Sequence, residues 1–198
     1  RVFILDDAED LVPVWLRFVR GVIDSDDLPL NVSREMLQDS TVTRTIRKQI
    51  TKKTLDRLKK LAADNREEYD AFWADFGSVL KEGLHLDPDS KKRIAPLLRY
   101  HSTHGEGWTS LDEYVERMAE GQTDIYYVIG ESEQAAAGSP HLEALRKKGF
   151  EVLFMTDAID EWGVEAMGEY DDKKLVSAMK AELGLDEHAD VYEVDGMM

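Results

Sequence analysis

Asp124-Ile125-Tyr126-Tyr127-Val128-Ile129 and Glu151-Val152-Leu153-Phe154-Met155 are two short apolar runs of strand length. Between them Leu142 and Leu145 mark a helix that closes at Gly149. Strand, helix and strand at this spacing imply a parallel pair joined by a right-handed crossover, so the last third of the chain reads as a small α/β/α unit. Just ahead of it, Ser110 and Glu113 have the spacing of a capping box for a helix carrying Leu111, Tyr114, Val115 and Met118.

Working towards the N-terminus, the stretch His101 to Trp108, with Gly105 and Gly107, reads as a linker. Upstream of it Asp87-Pro88 supplies a cap and a first helical residue for a helix carrying Ile94, Leu97 and Leu98. Phe72, Trp73, Phe76, Val79 and Leu80 mark a second helix. A third, from about Arg34 to Ala62, places Val42, Ile46, Ile50, Leu58 and Leu61 on one stripe, and at 1.5 Å per residue it extends roughly 40 Å. The basic residues from Arg44 to Lys60 then form its solvated face. Earlier still, Leu28-Pro29-Leu30-Asn31-Val32 is extended because a residue before proline avoids the helical region. Leu11, Trp15, Phe18, Val19 and Val22 recur at helical spacing, and Val2-Phe3-Ile4-Leu5 reads as a strand. A chain that opens in mid-strand is expected to be part of something longer. The fold class is therefore α/β. Residues 1–38 are the end of a larger α/β layer, 39–105 a three-helix connector, 106–185 the small α/β unit with its parallel strand pair, and 186–198 an acidic linker or chain end.

Composition narrows the functional classes. The chain has 198 residues, room for one good core or two small ones. A net charge of −16 repels nucleic acid and anionic lipid, so neither is an expected partner. Nowhere do about 18 apolar residues run together, as a membrane-spanning helix requires. The absence of cysteine removes disulfides and thiolate zinc sites, and a reducing, cytoplasmic setting fits.

Asn31-Val32-Ser33-Arg34-Glu35-Met36-Leu37-Gln38 is the segment richest in chemistry. Asn31 or Ser33 can cap a helix, and Arg34 puts a positive charge where the helix dipole favours a negative one. A bound phosphate would satisfy both the dipole and the guanidinium, with Gln38 one turn on and on the same face. Equally, Arg34 can simply pair with Asp24, Asp26 or Asp27 across the preceding loop. Glu161-Trp162, near Met155 and Met167, is either a partly exposed anchor for a protein partner or part of the core. Glu131, Asp157 and Asp160 fall at the expected C-terminal ends of parallel strands, where an alternative reading has them hold magnesium for phosphoryl transfer. His101 and His104 read as solvated loop residues rather than metal ligands, and Gly130 beside Glu131 and Glu133 makes a poor phosphate loop.

The run Asp24-Ser25-Asp26-Asp27-Leu28-Pro29-Leu30-Asn31-Val32-Ser33-Arg34-Glu35-Met36-Leu37-Gln38, continued upstream by Phe18-Val19-Arg20-Gly21-Val22-Ile23, resembles the catalytic-loop signature of the ninety-kilodalton heat-shock chaperones. Tyr114-Val115-Glu116-Arg117-Met118, Ile125-Tyr126-Tyr127, the run Ser139 to Gly149 and Ile159-Asp160-Glu161-Trp162 extend the likeness to about Tyr170. Ser40-Thr41-Val42-Thr43-Arg44 favours the bacterial branch, the HtpG type. The resemblance implies the later part of the middle domain of an ATP-dependent chaperone. It further implies that Arg34 reaches the γ-phosphate of ATP held with magnesium in an N-terminal domain, and that Asn31 and Gln38 help to hold the loop. Glu161 and Trp162 match a pair implicated in binding unfolded clients, although Glu165 stands where the family has Asn. The implied partners are that N-terminal domain, client proteins, co-chaperones and a second subunit joined through a C-terminal domain. The intact parent is expected to be an ATPase and this segment alone is not, with no cofactor of its own.

Overall fold

A computed structural model describes residues 11–24 and 41–181. The expected strand Val2-Leu5, the loop carrying Asn31, Arg34 and Gln38, and residues 186–198 lie outside the described residues.

The architecture is mixed α/β. Its helical part contains α1 (Thr41–Asp64), α2 (Arg66–Lys81), α3 (Gly83–Leu86) and α4 (Lys91–Ile94). Next come β1 (Arg99–Ser102), β2 (Gly105–Ser110), α5 (Leu111–Glu116), β3 (Ile125–Ile129), α6 (Glu133–Ala137), α7 (Leu142–Lys147), β4 (Val152–Met155), α8 (Asp160–Met167), β5 (Glu169–Tyr170) and β6 (Lys173–Ser177). The strands form one sheet in the order β2-β1-β4-β3-β6-β5. Its centre is parallel, with Tyr126 opposite Val152 and Ile125 opposite Leu175, as the apolar runs require; β1, β2 and β5 add antiparallel edges.

Alternation along the strands divides the interior in two. Leu153 and Met155 of β4, with Ile125 of β3, face a core shared with Trp73, Leu80, Leu84 and Ile94 of the helical part. Val152, Phe154, Tyr126 and Val128 face the other way, onto Ala136 of α6 and Leu142 and Leu145 of α7. Helices thus cover both faces of the sheet.

Local chemistry explains most helix starts. Asn65 accepts a hydrogen bond from the Glu68 N–H and returns one from its amide to the Glu68 carboxylate, opening α2. The expected capping box at α5 is present, with Ser110 Oγ accepting from the Glu113 N–H at 3.1 Å and the Glu113 carboxylate accepting from the Ser110 N–H at 2.8 Å. Arg66, at the start of α2, pairs with that same Glu113 and so joins the helical part to the sheet.

Three expectations are corrected and one pair of strands is added. The helix read over Leu11 to Val22 is only a 3-10 turn, Val14–Leu16, because Pro13 is extended and lacks an N–H to donate. Trp15 and Leu16 nevertheless stay buried, each such burial contributing about 1.5–3 kcal/mol. Trp15 fits because residue 83 is glycine: a Cβ there would stand 2.8 Å from the indole. The helix read beyond Asp87 is not one rod. The single turn of α4 leads into a 3-10 turn, Ala95–Leu97, interrupted by Pro96. The stretch read as a linker, His101 to Trp108, belongs to the β1–β2 hairpin, whose polar composition hides the strand pattern. Finally, β5 and β6 follow α8 where the sequence shows mainly charge; Asp171 and Asp172, with φ of 48° and 59°, make the two-residue turn between them.

Candidate functional site

The helix α8 buries Asp160, Gly163, Val164 and Met167, a spacing of three and four that turns Trp162 outward. Trp162 is 57% exposed, whereas Trp15 and Trp73 are 1% and 4% exposed, and this settles the choice between core and surface for that residue. Glu161 and Glu165 flank it, both exposed. The Trp162 ring meets His85 of α3 edge-on, centroids 5.8 Å apart, so α3 supports one side of the indole.

An ion cluster lies beneath the start of α8. Lys81, the last residue of α2, has a side chain only 4% exposed, and its Nζ stands 2.7 Å from both Asp157 Oδ2 and Asp160 Oδ1. The first contact is a hydrogen bond; the second is ionic, without the direction of one. Asp160 Oδ2 accepts from the Asp157 N–H at 3.0 Å, which closes the turn into the helix. Lys81 Nζ also lies 4.5 Å from the centre of the Tyr100 ring. Burial holds the Asp160 carboxyl above the usual range, although Lys81 pulls it down. Burial likewise pushes the Tyr100 phenol well up, with Asp160 and Asp157 adding to it. At the other end of α8, Lys91 Nζ donates to the Ala166 carbonyl at 2.7 Å.

This arrangement overturns the magnesium reading. Asp157 and Asp160 do come together after β4, but the cation between them is Lys81, and exposed Glu131 takes no part in the ion pairs. Among the described residues no three His, Cys, Asp or Glu side chains form a group that could hold a metal. His101 is not a free loop residue either: it lies in β1, half-buried, its ring 4.1 Å from that of Trp108. Gly130 has a packing reason, since a Cβ there would meet the Ala136 N of α6 at 2.9 Å.

A second buried carboxylate, Glu151, sits just before β4. Ser102 Oγ donates to it at 2.6 Å, and Arg117 donates from Nε at 3.2 Å and from Nη2 at 2.9 Å. Neighbouring Tyr114 donates to the Glu151 carbonyl and accepts from Gln122 and from the Tyr126 N–H, which pins α5 to β3 and β4.

Of the residues singled out from sequence, the structure therefore exposes Trp162 and Glu161, buries Asp160 and leaves Asn31, Arg34 and Gln38 outside the described residues. Sequence reasoning missed Lys81. Its signal was present: Lys81 follows Trp73 and Gly77 at four-residue steps on the apolar face of α2, where a solvated lysine has no place.

The family model described as "Hsp90 protein" matches residues 1–195, and the chain belongs to the Hsp90 family. It is 60% identical over 185 residues to "Chaperone protein HtpG" of Myxococcus xanthus, covering 93% of this chain and 28% of that protein. Against "Chaperone protein HtpG" of Shewanella oneidensis it is 55% identical over 196 residues, 98% of this chain and 31% of the relative. The chain thus spans under a third of the length of these curated relatives. Among the described residues no helix is long and apolar enough to cross a membrane.

Proposed function

We propose that this chain is the later part of the middle domain of an ATP-dependent chaperone of the HtpG type, acting in the cytoplasm. It meets an N-terminal domain that holds ATP and magnesium, and it offers a surface to unfolded or partly folded clients. The observation that carries the client half is Trp162, more than half exposed on a helix whose other face is locked into the core. Large aromatic side chains dominate interface energetics when a partner covers them. Flanking Glu161 and Glu165 suit segments of clients that combine apolar and basic residues. The ATP half is supported by membership of the Hsp90 family and by the residues Asn31, Arg34 and Gln38. There Arg34 stabilises charge on the transferring phosphoryl group, and Asn31 and Gln38 steady the loop that presents it. Co-chaperones, and dimerisation through a C-terminal domain, belong to the same reading of the intact protein.

Two substitutions in the intact parent test the two halves. Arg34→Ala lowers steady-state ATP hydrolysis by roughly 10²-fold or more, the scale for removing one charge-stabilising donor. Unchanged hydrolysis refutes the arginine's role. Trp162→Arg weakens binding of an unfolded model client by about tenfold or more while basal hydrolysis persists, because an anchor aromatic is lost and the ATP site is untouched. Unaltered client affinity refutes the surface.

A further inference from the structure

We infer that Lys81 and Lys91 are positioning residues for Trp162, through which the helical part of the chain sets the orientation of the client helix α8. The inference rests on the reading of Trp162 as a client contact and adds the device that controls it.

Helix α8 has eight residues, about two turns. A helix that short does not hold its shape in water, so tertiary contacts decide where it sits. Two of these contacts come from lysines of the helical part. Lys81, at the end of α2, grips the N-terminal end of α8 through Asp157 and Asp160, and Lys91, at the start of α4, grips the C-terminal end through the Ala166 carbonyl. The signs match the helix dipole, with an acid at the first residue and an ammonium at the last turn. Between the two lysines lies α3, which carries His85 against the Trp162 ring and Leu84 beneath Gly163. The joint between α2 and α3 is itself fixed from outside, since Arg17 holds Glu82 by two hydrogen bonds of 2.6 and 2.7 Å. A shift of the α2–α3–α4 segment therefore reaches α8 at both ends and beneath its indole. A lysine whose side chain is only 4% exposed makes an expensive choice for mere packing, because an apolar residue of similar volume fills such a site at least as well. Its hydrogen bond to Asp157 and its ionic contact with Asp160, at the start of α8, are what an apolar side chain would lack.

The test uses the intact chaperone labelled with fluorotryptophan, its Trp162 resonance assigned by disappearance in Trp162→Arg. Lys81→Met and Lys91→Met are each expected to shift and broaden the Trp162 resonance while that of Trp108, in the hairpin, stays in place. Both should weaken an unfolded model client roughly tenfold, the scale of losing a charge-assisted hydrogen bond. Lys81→Arg, which keeps a buried cation, should restore both readouts in large part. If Lys81→Met does not fold, Lys91→Met decides, since its lysine contacts a backbone carbonyl and no buried acid. A Trp162 resonance that stays put in the folded variants, or one that moves only together with Trp108, overturns the positioning role. Unchanged client affinity in Trp162→Arg overturns the client reading instead, and the resonance then judges the positioning role alone.

Discussion

The two buried carboxylates that follow or precede β4 are satisfied to different degrees. Glu151 accepts three hydrogen bonds, from Ser102 and from two nitrogens of Arg117. Asp160, after the strand, has one directed bond to the Asp157 N–H and an ionic contact to Lys81, an ammonium that it shares with Asp157. A saturated network holds one geometry; a shared ammonium allows the partition between its two carboxylates to change at little cost. The saturated cluster ties α5 to the edge of the sheet, a structural duty. The shared one lies under the tryptophan helix, where a change of partition has somewhere to go.

Breaking the shared cluster should have the largest effect. Lys81→Met leaves Asp160 buried with no cation and Tyr100 facing two carboxylates, a situation that costs about 3–5 kcal/mol. Urea unfolding of the chain would show it as a lowered midpoint with unchanged slope. Lys81→Met combined with Asp160→Asn should recover part of the loss, since the stranded charge is then gone. Absence of recovery would mean that Lys81 matters through its packing on Tyr100.

Breaking the saturated cluster should cost less. Glu151→Gln keeps the shape and one acceptor but replaces the anionic partner of the Arg117 guanidinium with a neutral amide, a loss of about 1.5–3 kcal/mol in the same unfolding measurement. Arg117 is 28% exposed on its side chain and can turn to water, which limits the damage. A loss larger than that of Lys81→Met would reverse the ranking and with it the distinction between the two clusters.

The contrast also marks what the sequence could and could not reveal. The parallel pair of β3 and β4 was legible because Ile125 to Ile129 and Val152 to Met155 are apolar on both faces, and both faces are covered by helices. The capping box at Ser110 was legible because it is local. The β1–β2 hairpin was not, since Arg99-Tyr100-His101-Ser102 owes its place to partners far along the chain, such as Glu151 for Ser102. The alternative reading set Glu131, Asp157 and Asp160 around magnesium; Asp157 and Asp160 instead meet Lys81, and Glu131 is not part of their cluster. Lys81 lies 76 residues before Asp157, and no local pattern announces a pairing at that distance. The exposure of Trp162 follows from the period of α8 once its buried positions are known; the sequence alone left it evenly placed between core and surface.

Acid titration separates the carboxylates with the smallest effect. Asp160 is held above its usual range, by burial chiefly and against the pull of Lys81, so its ionised form is less favourable in the folded chain than in the unfolded one. Its contribution to stability is then greatest below the unfolded value of about 3.9 and is lost as pH rises through the folded one. Glu82 behaves oppositely. The hydrogen bond from Arg17 holds it below its usual range, so its contribution is present above the unfolded value, about 4.3, and is lost as pH falls through the folded value. In the intact chain the two oppose each other on the acid side. Asp160→Asn removes one of them, and stability should then fall more steeply with acidification, by at most about 1.4 kcal/mol per pH unit for a single proton. Urea midpoints measured across the acid range in both proteins test this. A slope that stays the same or becomes shallower would mean that Lys81 outweighs burial at Asp160, and that the cluster under Trp162 is as firmly settled as the one around Glu151.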